Sequence, residues 1–263
     1  MTTENQKDAP IIFSAPMIRT ILGGIKTQTR RVVSPSTCRI QLPNSQHQVW
    51  DIIREHDLLS NATSHGAHLK LTTPDDCTPD WFLIEARHAL INRLWVKENI
   101  LVDGYLDPWY AAEGRGVSYV DAHTDRDWPY REPEYTGTIP SIHMPRWASR
   151  LTLDVTDVKV ERLQDISEAD AQAEGIVEAT LKGRGDTIWH VPETPGHVNV
   201  SAGLFGKTAC VAYQRLWDSI NKGRKDKDGK PLPYAWDKNP WVVATTFDWH
   251  LANIDTLNRE PKS

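Results

Sequence analysis

Residues 150–163 read RLTLDVTDVKVERL, and the fold assignment starts from them. Leu151, Leu153 and Val155 alternate with polar residues, the period of a half-buried strand, and the phase slips around Asp157 before Val158 and Val160, as at a turn or bulge. The next stretch, DISEADAQAEGI at 165–176, has the marks of a short helix. Ser167 and Asp170 form a capping box with Asp in place of Glu, Ala169, Ala171 and Ala173 favour helix, and Gly175 ends it. Glu174 is therefore the last side chain before the stop. A carboxylate there opposes the helix dipole, so it requires either solvent or a positive partner.

Toward the N-terminus, PIIFS at 10–14 is extended and SAPMIRTILGG at 14–24 predicts a helix of about two turns. Ser14 is its N-cap, Pro16 lies in the first turn where a missing N–H costs nothing, and Gly23 and Gly24 stop it. Met17, Ile18, Ile21 and Leu22 supply its apolar face. KTQTRR at 26–31 begins where that helix ends. If it leaves in an extended conformation, Lys26 shares a face with Gln28; a turn would break the alternation and bring Lys26 and Thr29 together. Spacing alone leaves two readings, a solvated basic helix end or a site.

Further along, INRLWVKEN at 91–99 reads as a strand ending in Lys97 and Glu98, and NPWVVATTFDW at 239–249 as a closing strand. TACVAYQRLWDSIN at 208–221 predicts a helix with Val211, Leu216, Ile220, Tyr213 and Trp217 in its apolar stripe. Residues 34–80 are polar and read as irregular, with one strand around HQVWDII at 47–53, and 178–207 lacks periodicity. KGRKDKDGKPLP at 222–233 is a charged loop. No βαβ period repeats and no glycine-rich loop has the strand-to-helix context of a phosphate cradle, so a nucleotide-binding α/β fold is rejected in favour of α+β with a mixed or barrel-like sheet.

Composition sets outer limits. The 263 residues, 39% of them hydrophobic, can bury a substantial core, and 30 Lys+Arg against 35 Asp+Glu give a net charge of −5, so any basic patch is local. Three widely spaced cysteines argue for a reducing compartment, and the lack of an apolar run of about 18 residues or of a leader core predicts a soluble, cytoplasmic protein with no membrane partner. Ten histidines form no recognisable metal motif: His65 and His68 have no glutamate between them, and HExxH, Cys-x-x-Cys and the zinc deaminase signature are missing, so neither metal nor cofactor is expected. There is no Gly-x-Ser-x-Gly elbow.

A lysine with a lowered pKa can act as a base, a threonine hydroxyl can attack a carbonyl carbon, and a carboxylate can pass a proton to a leaving amine. Lys26, Thr29 and Glu174 are the candidates for those roles. Taken together, FSAPMIRTILGGIKTQTRR (13–31), LWVKE (94–98), the block 139–176, LWDSIN (216–221) and NPWVV (239–243) resemble the ASCH-domain proteins often encoded by phages and prophages.

That resemblance implies a PUA-like mixed β-barrel with flanking helices, as one domain over 10–250. Long insertions would fall at about 35–93, 103–137, 178–207 and 222–235, and residues 1–9 and 252–263 would be flexible termini. Small bacterial N4-acetylcytidine amidohydrolases belong to the same superfamily, and matching their motifs places the catalytic lysine at Lys26, the threonine at Thr29, the glutamate at Glu174 and the motif arginine at Arg31. The implied activity is hydrolysis of the N4-acyl amide of a small acylated cytosine nucleoside or base, without metal; the alternative is an RNA-binding or RNA-processing module.

Arg31 is expected to bind the substrate, with Glu98, Tyr105, Trp109 and His143 as further candidates. Arg30, on the opposite strand face, is either a surface ion pair or part of the site. SIHMPRWASR at 141–150 either lines the cleft through His143 or forms a buried segment with Arg146 stacked on Trp147.

Overall fold

In the computed structural model of the protein the described residues are 8–34, 36–40, 63–72, 81–103, 106–113, 115–116, 137–180, 185–192 and 204–257. The strands of the first half are β1 (Asp8–Ile12), β2 (Gln28–Val32), β3 (Cys38–Ile40), β4 (Thr63–His65), β5 (His68–Thr72), β6 (Trp81–Ala86), β7 (Arg93–Lys97) and β8 (Ile100–Asp103). The second half adds β9 (Leu106–Tyr110), β10 (Arg115–Gly116), β11 (Gly137–Ile139), β12 (Thr152–Arg162), β13 (Val177–Thr180), β14 (Thr187–His190), β15 (Phe205–Gly206) and β16 (Trp241–His250). Three α-helices lie among the described residues: α1 (Ala15–Leu22), α2 (Glu168–Ala173) and α3 (Ala209–Asn221).

β12 is the axis of the main sheet, whose order is β1-β7-β12-β16-β2. β16 pairs with it antiparallel from Thr152↔His250 to Arg162↔Trp241, and the register slips between Val155 and Asp157, where the sequence phase predicts a turn or bulge. β1 runs parallel to β7 while the other pairs are antiparallel, so the sheet is mixed. Ile11, Phe13, Ile18, Ile21, Leu94, Leu153 and Phe247 form one apolar cluster around α1, and Ala171, Ala212, Tyr213, Trp217 and Val242 form another where α2 and α3 meet the sheet.

The closed PUA-like barrel implied by the ASCH resemblance is not the architecture seen. The described residues form an α+β fold with four sheets, of five, four, three and four strands, and none closes on itself. β1 and β2 remain outer strands. The physical reason lies at β2, whose margin is occupied by other groups: the carbonyl of Gln28 accepts from Lys26 Nζ, that of Val32 from Thr37 Oγ1, and Thr27 N–H donates to the end of α2 at Ala173. Those bonds satisfy backbone groups without a further strand.

Two stretches read as irregular carry regular structure. From 34–80, β3, β4 and β5 join β6 in a sheet whose Leu69, Ile84 and Ala86 pack on Val160, Trp241 and Val243; from 178–207, β14 and β15 join β13 in another. HQVWDII lies outside the described residues. The apolar stripe of α3 is also displaced: Ala209, Ala212, Tyr213 and Trp217 are buried, whereas Val211 and Ile220 are exposed. Small alanines face the sheet there because the helix packs closely. No helix among the described residues is long and apolar enough to cross a membrane.

Candidate active site

Two helix ends build the site. Ser14 precedes α1 in an extended conformation, its carbonyl accepting from Ile18 N–H while its side chain makes no cap bond. At the other end Gly24 adopts φ +68°, and the N–H groups of Ile25 and Lys26 both donate to Thr20 O, at 2.9 and 3.0 Å. The chain thus folds back over the helix end and directs Lys26 inward, where it is 1% exposed.

The capping box of α2 is present as read, with Ser167 Oγ accepting from Asp170 N–H. Glu174 is its C-cap, and Gly175 follows at φ +104°. A Cβ on Gly175 would lie 3.2 Å from Thr20 Oγ1 and 3.5 Å from Lys26 Cβ, so glycine serves both the backbone turn and the close approach of the two helix ends.

Lys26 Nζ donates to Glu174 Oε2 at 2.6 Å, to Glu174 O at 2.9 Å and to Gln28 O at 2.9 Å, using all three ammonium protons. The carboxylate against the dipole thereby has its positive partner. Burial pushes the Lys26 pKa down, opposed by the Glu174 charge and hydrogen bond.

Of the two readings left open for Arg30, the surface ion pair is not the one seen. Its guanidinium is buried, with Nε and Nη2 donating to Glu161 Oε1 at 3.0 and 2.7 Å, Nη2 3.4 Å from Asp170 Oδ2, and Nη1 3.4 Å from Glu174 Oε1. The Tyr213 hydroxyl donates to the same Glu174 oxygen at 3.4 Å. Gln28 and Arg30 are alternate residues of β2, so they share one face with Val32, which packs in the α2–α3 cluster. Burial works against the Arg30 charge, but Glu174, Tyr213 and Glu161 outweigh it and raise the pKa.

Thr29 and Arg31 belong to the other face. Thr29 pairs with Thr245, whose hydroxyl is 2.9 Å from His88 Nδ1. Burial, with the Arg31 charge adding, pushes the His88 imidazole down to about 4. Arg31 Nη2 donates to Ile12 O at 2.6 Å and its guanidinium lies 5.4 Å from the Phe13 ring centroid. The Thr29 hydroxyl forms no hydrogen bond among the described residues.

A cavity of about 630 Å³ runs along β2, lined by Thr29, Arg30, Arg31, Glu174, Tyr213 and Tyr234 together with Trp217 and Arg224. A smaller one of about 150 Å³ is lined by Met17, Thr20, Glu174 and Gly175. Lys26 lines neither and stands behind Glu174. Lys26 and Glu174 are thus in contact, and Thr29 shares the cavity with Glu174. Lys26 and Thr29 share no hydrogen bond.

Of the expected binding residues that are described, Arg31 alone lines this cavity. Glu98 is buried elsewhere, its two oxygens accepting from Arg150 Nε and Nη2 at 2.8 and 3.0 Å, with Arg150 also bound to Glu113 and over the Tyr110 ring. Trp109 sits partly buried on β9, in the sheet β10-β9-β8-β11, and lines neither cavity. His143 is exposed in a short 3₁₀ turn and also lines neither. Tyr105 lies outside the described residues. Arg146 pairs with Asp255 and Asp8.

Tyr213 and Glu161 are the functional candidates that sequence reasoning missed, and the sequence leaves Arg30 undecided. For Tyr213 a signal existed: a phenol in a buried stripe needs a partner for its hydroxyl. Among the described residues no group of three or more His, Cys, Asp or Glu side chains could hold a metal ion. Compared with family models, curated protein sequences and solved structures, the chain matches none.

Proposed function

We propose that the protein is an amidohydrolase that cleaves the N4-acyl amide of acylated cytidine or cytosine compounds, releasing the cytosine compound and a carboxylic acid. The observation that carries this reading is the buried Lys26–Glu174 contact of 2.6 Å, with Glu174 and Thr29 both among the residues that line one cavity. The motif likeness to N4-acetylcytidine amidohydrolases supports the same three residues.

The chemistry follows from the desolvated pair. Burial destabilises the Lys26 ammonium, so amine and carboxylate act as one acid–base unit and take up the Thr29 proton together. Thr29 Oγ then bonds to the acyl carbon, and the carbonyl π electrons move onto oxygen, where the surplus of cationic groups around Glu174 favours the negative charge. The pair returns its proton to N4 as the C–N bond breaks, which frees the cytosine compound and leaves an ester on Thr29. Water, losing a proton to the same pair, attacks that ester, and the pair hands that proton to Thr29 Oγ as its bond to the acyl carbon breaks, which frees the acid and restores the threonine.

The test is incubation with N4-acetylcytidine and N4-acetylcytosine while following cytidine, cytosine and acetate. Release of acetate that depends on Thr29 and Glu174 is expected. Binding of an oligoribonucleotide containing N4-acetylcytidine with no acetate released would make the protein an RNA-binding module instead.

A further inference from the structure

Four charged residues line the large cavity: Arg30, Arg31, Arg224 and Glu174. Arg30 is committed to Glu161, Asp170 and Glu174, and Glu174 to Lys26 and Arg30. The other two guanidiniums have no carboxylate partner among the described residues. Arg31 spends one N–H on Ile12 O, and Arg224 contacts Asn221 Oδ1 at 3.4 Å and lies 5.9 Å from the Tyr234 ring centroid. Burial pushes the Arg31 pKa down, opposed by the charges of Glu174 and Tyr213, and the charge of Arg224 adds a smaller lowering. Ser34 and Ser36 line it too, with hydroxyls 2.8 Å apart.

Arg31 is partly buried and Arg224 exposed, and both line one cavity with no carboxylate partner among the described residues, so an anion entering it meets two guanidiniums. A guanidinium fork suits the oxygens of a phosphate group, and serine hydroxyls can add donors. We propose that Arg31 and Arg224 form a phosphate subsite, so that the cavity takes a cytosine mononucleotide rather than a neutral nucleoside or base. The identity of the base rests on the amidohydrolase reading above; the phosphate subsite rests on the two arginines.

The experiment has a binding arm and a turnover arm. Titration calorimetry at low ionic strength compares cytidine 5′-monophosphate with cytidine, and we expect the nucleotide to bind at least about tenfold more tightly, with inorganic phosphate competing. Arg224→Gln and Arg31→Gln should each bring the ratio of the two affinities toward unity; the ratio cancels any general loss of folded protein. Equal binding of nucleotide and nucleoside, or a preference that survives both variants, would overturn the subsite. Tighter binding of a short oligoribonucleotide than of the mononucleotide would place the phosphate in an RNA strand and overturn the mononucleotide assignment. In the turnover arm, N4-acetylcytidine and its 5′-monophosphate are compared by kcat/KM. Acetate release without a phosphate preference overturns the subsite and keeps the amidohydrolase. No release from either compound, with the nucleotide preference in binding intact, removes the amidohydrolase and keeps the subsite.

Discussion

Lys26 Nζ and Glu174 Oε2 lie 2.6 Å apart although 148 residues separate them in the chain. Both are almost wholly buried, at 1% and 4% side-chain exposure, so the contact binds the end of α1 to the end of α2. Removing the carboxylate should be the costlier change, because Lys26 would keep only carbonyl partners, whereas Glu174 retains Arg30 when the lysine goes. Glu174→Leu should cost about 3–5 kcal/mol and Lys26→Met less, read from denaturant midpoints at unchanged m-value. Equal costs would mean that Arg30 does not sustain the carboxylate.

The Arg30 guanidinium ties β2 to β12 through Glu161 and to α2 through Asp170. Arg30→Met should destabilise by about 2–3 kcal/mol, below the full value for a buried pair because Glu161 and Asp170 still reach water. Arg30→Lys should recover only part, since an ammonium cannot reproduce the fork. Thermal unfolding of the two variants beside the parent protein checks the order.

Thr29 separates a covalent route from simple binding. If its hydroxyl attacks the acyl carbon, Thr29→Ala should lower kcat by at least about 100-fold while Thr29→Ser keeps measurable turnover. A raised KM with near-normal kcat in the alanine variant would assign Thr29 to binding and leave Glu174 to activate water.

His88 predicts a pH dependence of stability. Its folded pKa of about 4 lies below the ordinary imidazole value of 6.5, so the native state holds the ring neutral while the unfolded chain binds a proton. The contribution is complete above pH 6.5 and is lost as pH falls toward 4. Between pH 7 and pH 5 the loss is about 2 kcal/mol, and His88→Gln should flatten that part of the curve, measured by urea unfolding at several pH values.

Much was legible along the chain because it depends on neighbours in sequence. Alternation marked β12 and its slip at Val155/Asp157, Ser167 and Asp170 marked the start of α2, and Gly23–Gly24 and Gly175 marked two helix ends. The placement of Glu174 against its own dipole required either solvent or a positive partner, and the partner is Lys26. That the main sheet stays open, the depth of Arg30 and the partners of Glu98 were not legible, because each depends on which surface comes to cover a residue. A strand pattern does not state whether its outer edge meets another strand or, as at β2, a lysine side chain, a threonine hydroxyl and a helix end. Local periodicity arises from backbone geometry, whereas burial and charge pairing arise from packing between segments far apart in the chain, and only the folded arrangement brings Arg30, Glu161, Glu174 and Tyr213 into one low-dielectric cluster.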